Sequence, residues 1–115
     1  MEPIPYDPTK EDALDSLNLL SSLLVECRFK GGSSRAVALS AIISGVCSGL
    51  VRHVPLHVFS APTPGSGKSY LAQIVGEVAQ GKPVPVVAAS SNREELEKQL
   101  GVIALGAEGI TVIDN

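Results

Sequence analysis

The stretch Leu56-His57-Val58-Phe59-Ser60-Ala61-Pro62-Thr63-Pro64-Gly65-Ser66-Gly67-Lys68-Ser69-Tyr70 decides how this chain folds. Leu56 to Ala61 mixes alternation with β-branched and aromatic residues, which predicts a short strand after Pro55. Pro62 to Gly67 is a Pro/Gly-rich loop. Lys68 to about Ala79 has helical spacing and is stopped by Gly81, with Pro83 just beyond. A glycine turn that enters a helix aims successive backbone N–H groups and the positive end of the helix dipole at one point, as a bound polyphosphate requires. The pattern for such a loop is G-x-x-x-x-G-K-[ST]. Pro62 to Ser69 matches it with Pro62 in place of the leading glycine.

The match assigns roles. Gly67 lets the backbone approach a phosphate closely. Lys68 would reach the β- and γ-phosphates, and the Ser69 hydroxyl would ligate Mg²⁺. Gly65, Ser66, Gly67, Ser69 and Tyr70 would offer main-chain donors, while Pro64, which has no N–H, stiffens the loop. The plain alternative is a Gly/Ser turn that happens to contain a lysine.

Downstream, Pro85 to Ser90 reads as a second strand. Ser91 caps a helix, Asn92 to Ala107, with Glu94 completing a capping box. That helix is charged early and apolar later, so its second half should face the core. Arg93 to Lys98 reads as a solvated face with internal ion pairs. Gly109 turns the chain into an apolar strand, Ile110 to Asn115. Mg²⁺ in a triphosphate site needs a carboxylate at the end of a neighbouring strand, and Asp114, one βα unit after Lys68, fits that role. Asn115 stands where many ATP-driven motors carry Glu; an amide orients water but cannot take its proton. Lys68, Asp114 and Asn115 are thus the candidate catalytic residues, with Ser69 and Asp114 the metal ligands.

Upstream, residues 1–8 are Pro-rich and irregular. Thr9 caps a helix with Glu11 and Asp12 in its first turn and apolar positions Leu14, Leu17, Leu20, Leu24 and Val25, running to about Cys27. Gly31-Gly32-Ser33-Ser34 breaks it, and Ser33 or Ser34 caps a second, more apolar helix over 35–51. The apolar run Ala36 to Val51 falls short of the ~20 residues of a spanning helix. A core helix, no membrane partner and a cytoplasmic location follow. Cys27 and Cys47 read as buried thiols of a reducing compartment, and His53 and His57 as packing or surface residues.

The order α-α-β-α-β-α-β predicts an α/β fold with a three-stranded parallel sheet of the P-loop NTPase type, β-α-β-α-β, preceded by two helices. Three parts result: the lead-in 1–8, a helical pair over 9–54, and a partial nucleotide-binding core over 55–115. The abrupt stop after the last strand predicts the N-terminal piece of a longer protein. Composition agrees with a folded domain: 44% of residues are hydrophobic and 18% charged. The net charge of −3 and the scattered nine Lys and Arg argue against a nucleic-acid face within this segment.

Pro62 to Ser69 resembles the PPGTGKT-type loop of AAA+-like ATPases. Ala36 to Asn115 resembles the ATPase region of phage and prophage primase–helicase-like proteins: Phe59 to Ser69 matches an "F-x-A-P-x-x-G-S-G-K-S" segment, Glu94 to Leu100 an "E-E-x-E-K-x-L" helix, and Ile110 to Asn115 an apolar strand ending Asp-Asn. The resemblance implies ATP and Mg²⁺ binding, and hydrolysis coupled to nucleic-acid unwinding or remodelling in phage or mobile-element replication by the full-length protein; DNA contacted outside this chain and a second copy of the chain (a homo-oligomer) are the candidate macromolecular partners. It also implies sensor and arginine-finger residues beyond Asn115, so the chain alone is expected to be inactive or weakly active. Two other readings stay open: a nucleotide-binding switch without efficient hydrolysis, and a nucleotide-kinase-type phosphotransferase. In AAA+-like proteins a further strand separates the Lys68-loop strand from the Asp114 strand. This chain must therefore either pair the two directly or leave a gap between them.

Overall fold

The computed structural model describes residues 5–106 and 109–114. In chain order the elements are α1 (Lys10–Ser22), α2 (Gly32–Val46) with a 3-10 turn at Cys47–Gly49, α3 (Lys68–Gln80), β1 (Val86–Ala88), α4 (Arg93–Gly106) and β2 (Val112–Asp114).

Helix α1 starts where its cap dictates. The Thr9 side chain accepts from the Asp12 N–H at 3.2 Å and the Asp12 carboxylate accepts from the Thr9 N–H at 2.8 Å, a reciprocal capping box. The helix ends at Ser22, short of the expected Cys27. Helix α2 begins at Gly32, with Gly31 as its cap and no side-chain capping bond, so neither Ser33 nor Ser34 caps it.

The core is built on helices. Ala38, Ala41, Ile42 and Gly45 are the buried residues of α2 and recur at i, i+3, i+4 and i+7, one helix face. They meet Leu71 and Val75 of α3, Leu24 closes the cluster from the turn after α1, and Gly76 of α3 is buried against Val84. Small residues let α2 and α3 approach closely: a Cβ at Gly45 would lie 3.0 Å from the Ala79 Cβ and 3.1 Å from Ile110 Cδ1. Gly81, at φ 68°, ends α3 in the left-handed conformation that glycine adopts without penalty.

The sheet departs from expectation. Among the described residues it has two strands, not three: β1 and β2 run parallel, with Val86, Val87 and Ala88 opposite Val112, Ile113 and Asp114. The β-α-β-α-β arrangement is therefore corrected to four helices and one parallel strand pair. Residues 56–61 carry the residue types of a strand, and their burial alternates at His57, Phe59 and Ala61, but their backbone makes no ladder bond among the described residues. The physical reason is a gap. An apolar cleft of about 490 Å³ is lined by both Val54 to Phe59 and Gly109 to Asp114, together with residues of α2 and α3. β-propensity describes side chains that suit a pleated surface; it does not supply a partner strand.

Helix α4 also differs. None of its residues is buried, and Val102 and Leu105 of its apolar half are exposed rather than packed on the core. Its cap is Asn92, whose Oδ1 accepts from the Glu94 N–H at 3.0 Å, instead of Ser91. Cys27 and Cys47 are free thiols, both only half-buried. No helix among the described residues is long and apolar enough to cross a membrane.

Candidate functional site

The loop before α3 is shaped by two glycines. Gly65 and Gly67 take φ of 71° and 87°, in the left-handed region where a side chain is strained. Gly67 is also the cap of α3, and its carbonyl accepts the Leu71 N–H at 2.9 Å. The first N–H groups of α3, those of Lys68, Ser69 and Tyr70, have no acceptor within the helix and carry the positive end of its dipole. No acidic residue lies in that first turn to offset it.

β2 brings Asp114 to this point. Lys68 Nζ lies 3.3 Å from Asp114 Oδ1, and the Ser69 hydroxyl donates to Asp114 Oδ2 at 2.5 Å. About a third of the Lys68 and Asp114 side chains remains exposed, so this pair is screened and displaceable rather than locked in a core. A small open cleft is lined by Ala61 to Gly65 together with Lys68, Ser69 and Asp114. The larger apolar cleft lies beside it and shares the same three residues.

The structure thus assembles Gly65, Lys68, Ser69 and Asp114 around one mouth, with Gly67 beside it as the cap of α3. Pro64 lines it, Ser66 is exposed at the tip of the loop, and Tyr70 points its ring to solvent, leaving only its backbone to the site. Asn115 lies outside the described residues. His57 stands 3.5 Å from Ser40 Oγ, a contact between α2 and the segment before the loop that sequence reading missed. Arg93 and Lys98 pair with Glu97 and Glu94 one turn away on α4, far in character from a ligand set.

The donor set defines what could be held. A hydroxyl and a carboxylate converging on one point suit a hard cation that takes oxygen ligands. Among the described residues there is no cluster of three or more His, Cys, Asp or Glu. A cation here would draw its other oxygens from phosphate and water, the usual habit of Mg²⁺. Comparison with family models, curated proteins and solved structures returns no match for the chain.

Proposed function

We propose that the chain binds the polyphosphate of a nucleoside triphosphate as its Mg²⁺ complex. One observation carries this reading: Lys68, Ser69 and Asp114 meet at the mouth of a loop whose glycines open the N-terminus of α3. A fixed cation, backbone donors and hard oxygens then stand within reach of one anion. In this reading the Gly65–Ser69 backbone cradles the phosphates, Lys68 reaches the terminal ones, and Ser69 and Asp114 hold the metal, which offsets their charge.

The resemblance to AAA+-like and primase–helicase-like ATPases supports ATP as the nucleotide and coupling to DNA remodelling through regions outside this chain; the free Cys27 and Cys47 thiols favour a reducing, cytoplasmic setting, and the exposed Leu56 and Val58 favour self-assembly. A nucleotide switch is the second reading. Asn115, the amide directly after Asp114, cannot take the proton of an attacking water. Titration of a fluorescent ATP analogue in Mg²⁺ tests the site: wild type binds and Lys68→Ala loses most of the affinity. Equal binding by Lys68→Ala sinks the proposal. Turnover assays on the same samples separate the ATPase from the switch.

A further inference from the structure

We infer that the exposed ring of Tyr70 is the platform on which the nucleobase of the bound nucleotide stacks, so that the chain favours a nucleotide over a bare polyphosphate. The inference rests on the triphosphate reading of the loop and adds to it the part of the ligand that the loop does not hold.

The mouth lined by Ala61 to Gly65, Lys68, Ser69 and Asp114 suits phosphate and metal, and it presents no aromatic ring to a base. Lys68, Ser69 and Asp114 also line the apolar cleft, and contacts of 3.3 and 2.5 Å hold the three together as a partition between the two spaces. A nucleoside whose phosphates sit at the mouth therefore lies outside it, over the first turn of α3. Tyr70 is the third residue of that helix, and its ring is 69% exposed. Its N–H is one of the first-turn donors free of an acceptor within the helix. Helical side chains lean toward the N-terminus, so the ring leans toward the loop. Of the four aromatic residues, Phe29 and Phe59 pack against the core and Tyr6 lies in the lead-in ahead of α1. Tyr70 alone joins a phosphate donor and an open aromatic face in one residue. A stacked base covers that face while the phenolic hydroxyl keeps its water. Every base has a π face, so the stack favours nucleotides without choosing among bases.

Calorimetric titration of the whole chain in Mg²⁺, with ATP and separately with inorganic tripolyphosphate, reads the nucleoside's contribution as the ratio of the two affinities. Tyr70→Ala is expected to lower that ratio about tenfold. Tyr70→Phe keeps the ring and should hold the ratio near its wild-type value. Disturbance of the loop weakens both ligands together and leaves the ratio in place, so a purely structural effect does not imitate loss of the stack. Tyr70→Leu, prepared in parallel with circular dichroism as a fold control, shows the same fall and carries the test if the Ala variant misfolds. An unchanged ratio in Tyr70→Ala and Tyr70→Leu, beside a wild type that binds ATP, overturns the inference alone. So does a ratio that falls in Leu56→Ser but not in Tyr70→Ala, which seats the base in the apolar cleft. A fall in Tyr70→Phe as large as in Tyr70→Ala assigns the effect to the hydroxyl and also overturns it. Wild type that binds neither ligand overturns the triphosphate site and the inference with it.

Discussion

Ser69 and Asp114 are joined by a hydrogen bond of 2.5 Å although 45 residues separate them. The bond ties the first turn of α3 to the end of β2. The carbonyl of the same aspartate accepts the Ala89 N–H at 2.8 Å, continuing the β1–β2 pairing. Helix and sheet are thus coupled through one residue. Ser69→Ala is expected to lower the unfolding free energy by about 1 kcal/mol, less than a buried charge-assisted bond because the site is open. Urea denaturation checks this, and Ser69→Thr should restore most of the loss.

Gly76 is expected to be intolerant of even a methyl group. A Cβ there would lie 2.3 Å from Val84 Cγ1 and 2.6 Å from its Cγ2, and Val84 is itself buried. Alanine is the better helix former by about 1 kcal/mol. Overpacking at this distance costs about 1–3 kcal/mol and outweighs it. Gly76→Ala should therefore destabilise, and Gly76→Ala with Val84→Ala should cost less than the sum of the two single changes. Strict additivity in a double-mutant cycle would contradict the close approach.

The α1 cap should show itself in acid. The Thr9 side chain first, and its backbone N–H second, hold the Asp12 carboxyl below its ordinary value of 3.8. Because the folded pKa is depressed, the stability Asp12 contributes is present above 3.8 and is lost as pH falls through the lowered folded value. Thr9→Ala should return the Asp12 pKa toward 3.8, as followed by its carboxyl NMR shift against pH. An unchanged titration in that variant would show that the capping box does not set it.

The cleft beside the loop leaves apolar chain exposed on its walls. Leu56 and Val58 are 89% and 74% exposed, and the backbone of this segment makes no ladder bond among the described residues. Unpaired edges of this kind favour association. The chain should self-associate as concentration rises in sedimentation velocity, and Val58→Lys should shift it toward monomer. Identical sedimentation of both proteins across the range would refute that role for the segment.

Local features were legible in the sequence and distant ones were not. Thr9 as a cap, Gly81 as a stop and the loop-to-helix junction at Gly67–Lys68 depend on neighbours within a few residues, and sequence holds those neighbours. The third strand failed because residues 56–61 announce suitability for a sheet, while a strand exists only with a partner within bonding reach. The apolar half of α4 failed in the same way: Val102 and Leu105 record hydrophobicity, not the presence of a surface to receive it. Ser91 and Asn92 are chemically equivalent caps, and Ser90, which accepts the Asn92 N–H and donates to Glu95, sets the helix one residue later. At the site, Lys68 and Ser69 followed from the loop motif alone. The division of Asp114 between them could be seen only once β2 had been placed.

Gly65 and Gly67 hold one more lesson, about handedness. Around both, an added Cβ would meet nothing within 4 Å, yet both backbones sit at positive φ. Chirality, then, and not room, reserves these positions for glycine. A D-alanine, introduced by chemical synthesis, has the mirror-image preference and would rest there unstrained while narrowing the freedom of the unfolded chain. The loop is in this sense a left-handed fitting built from the only achiral residue available to the ribosome.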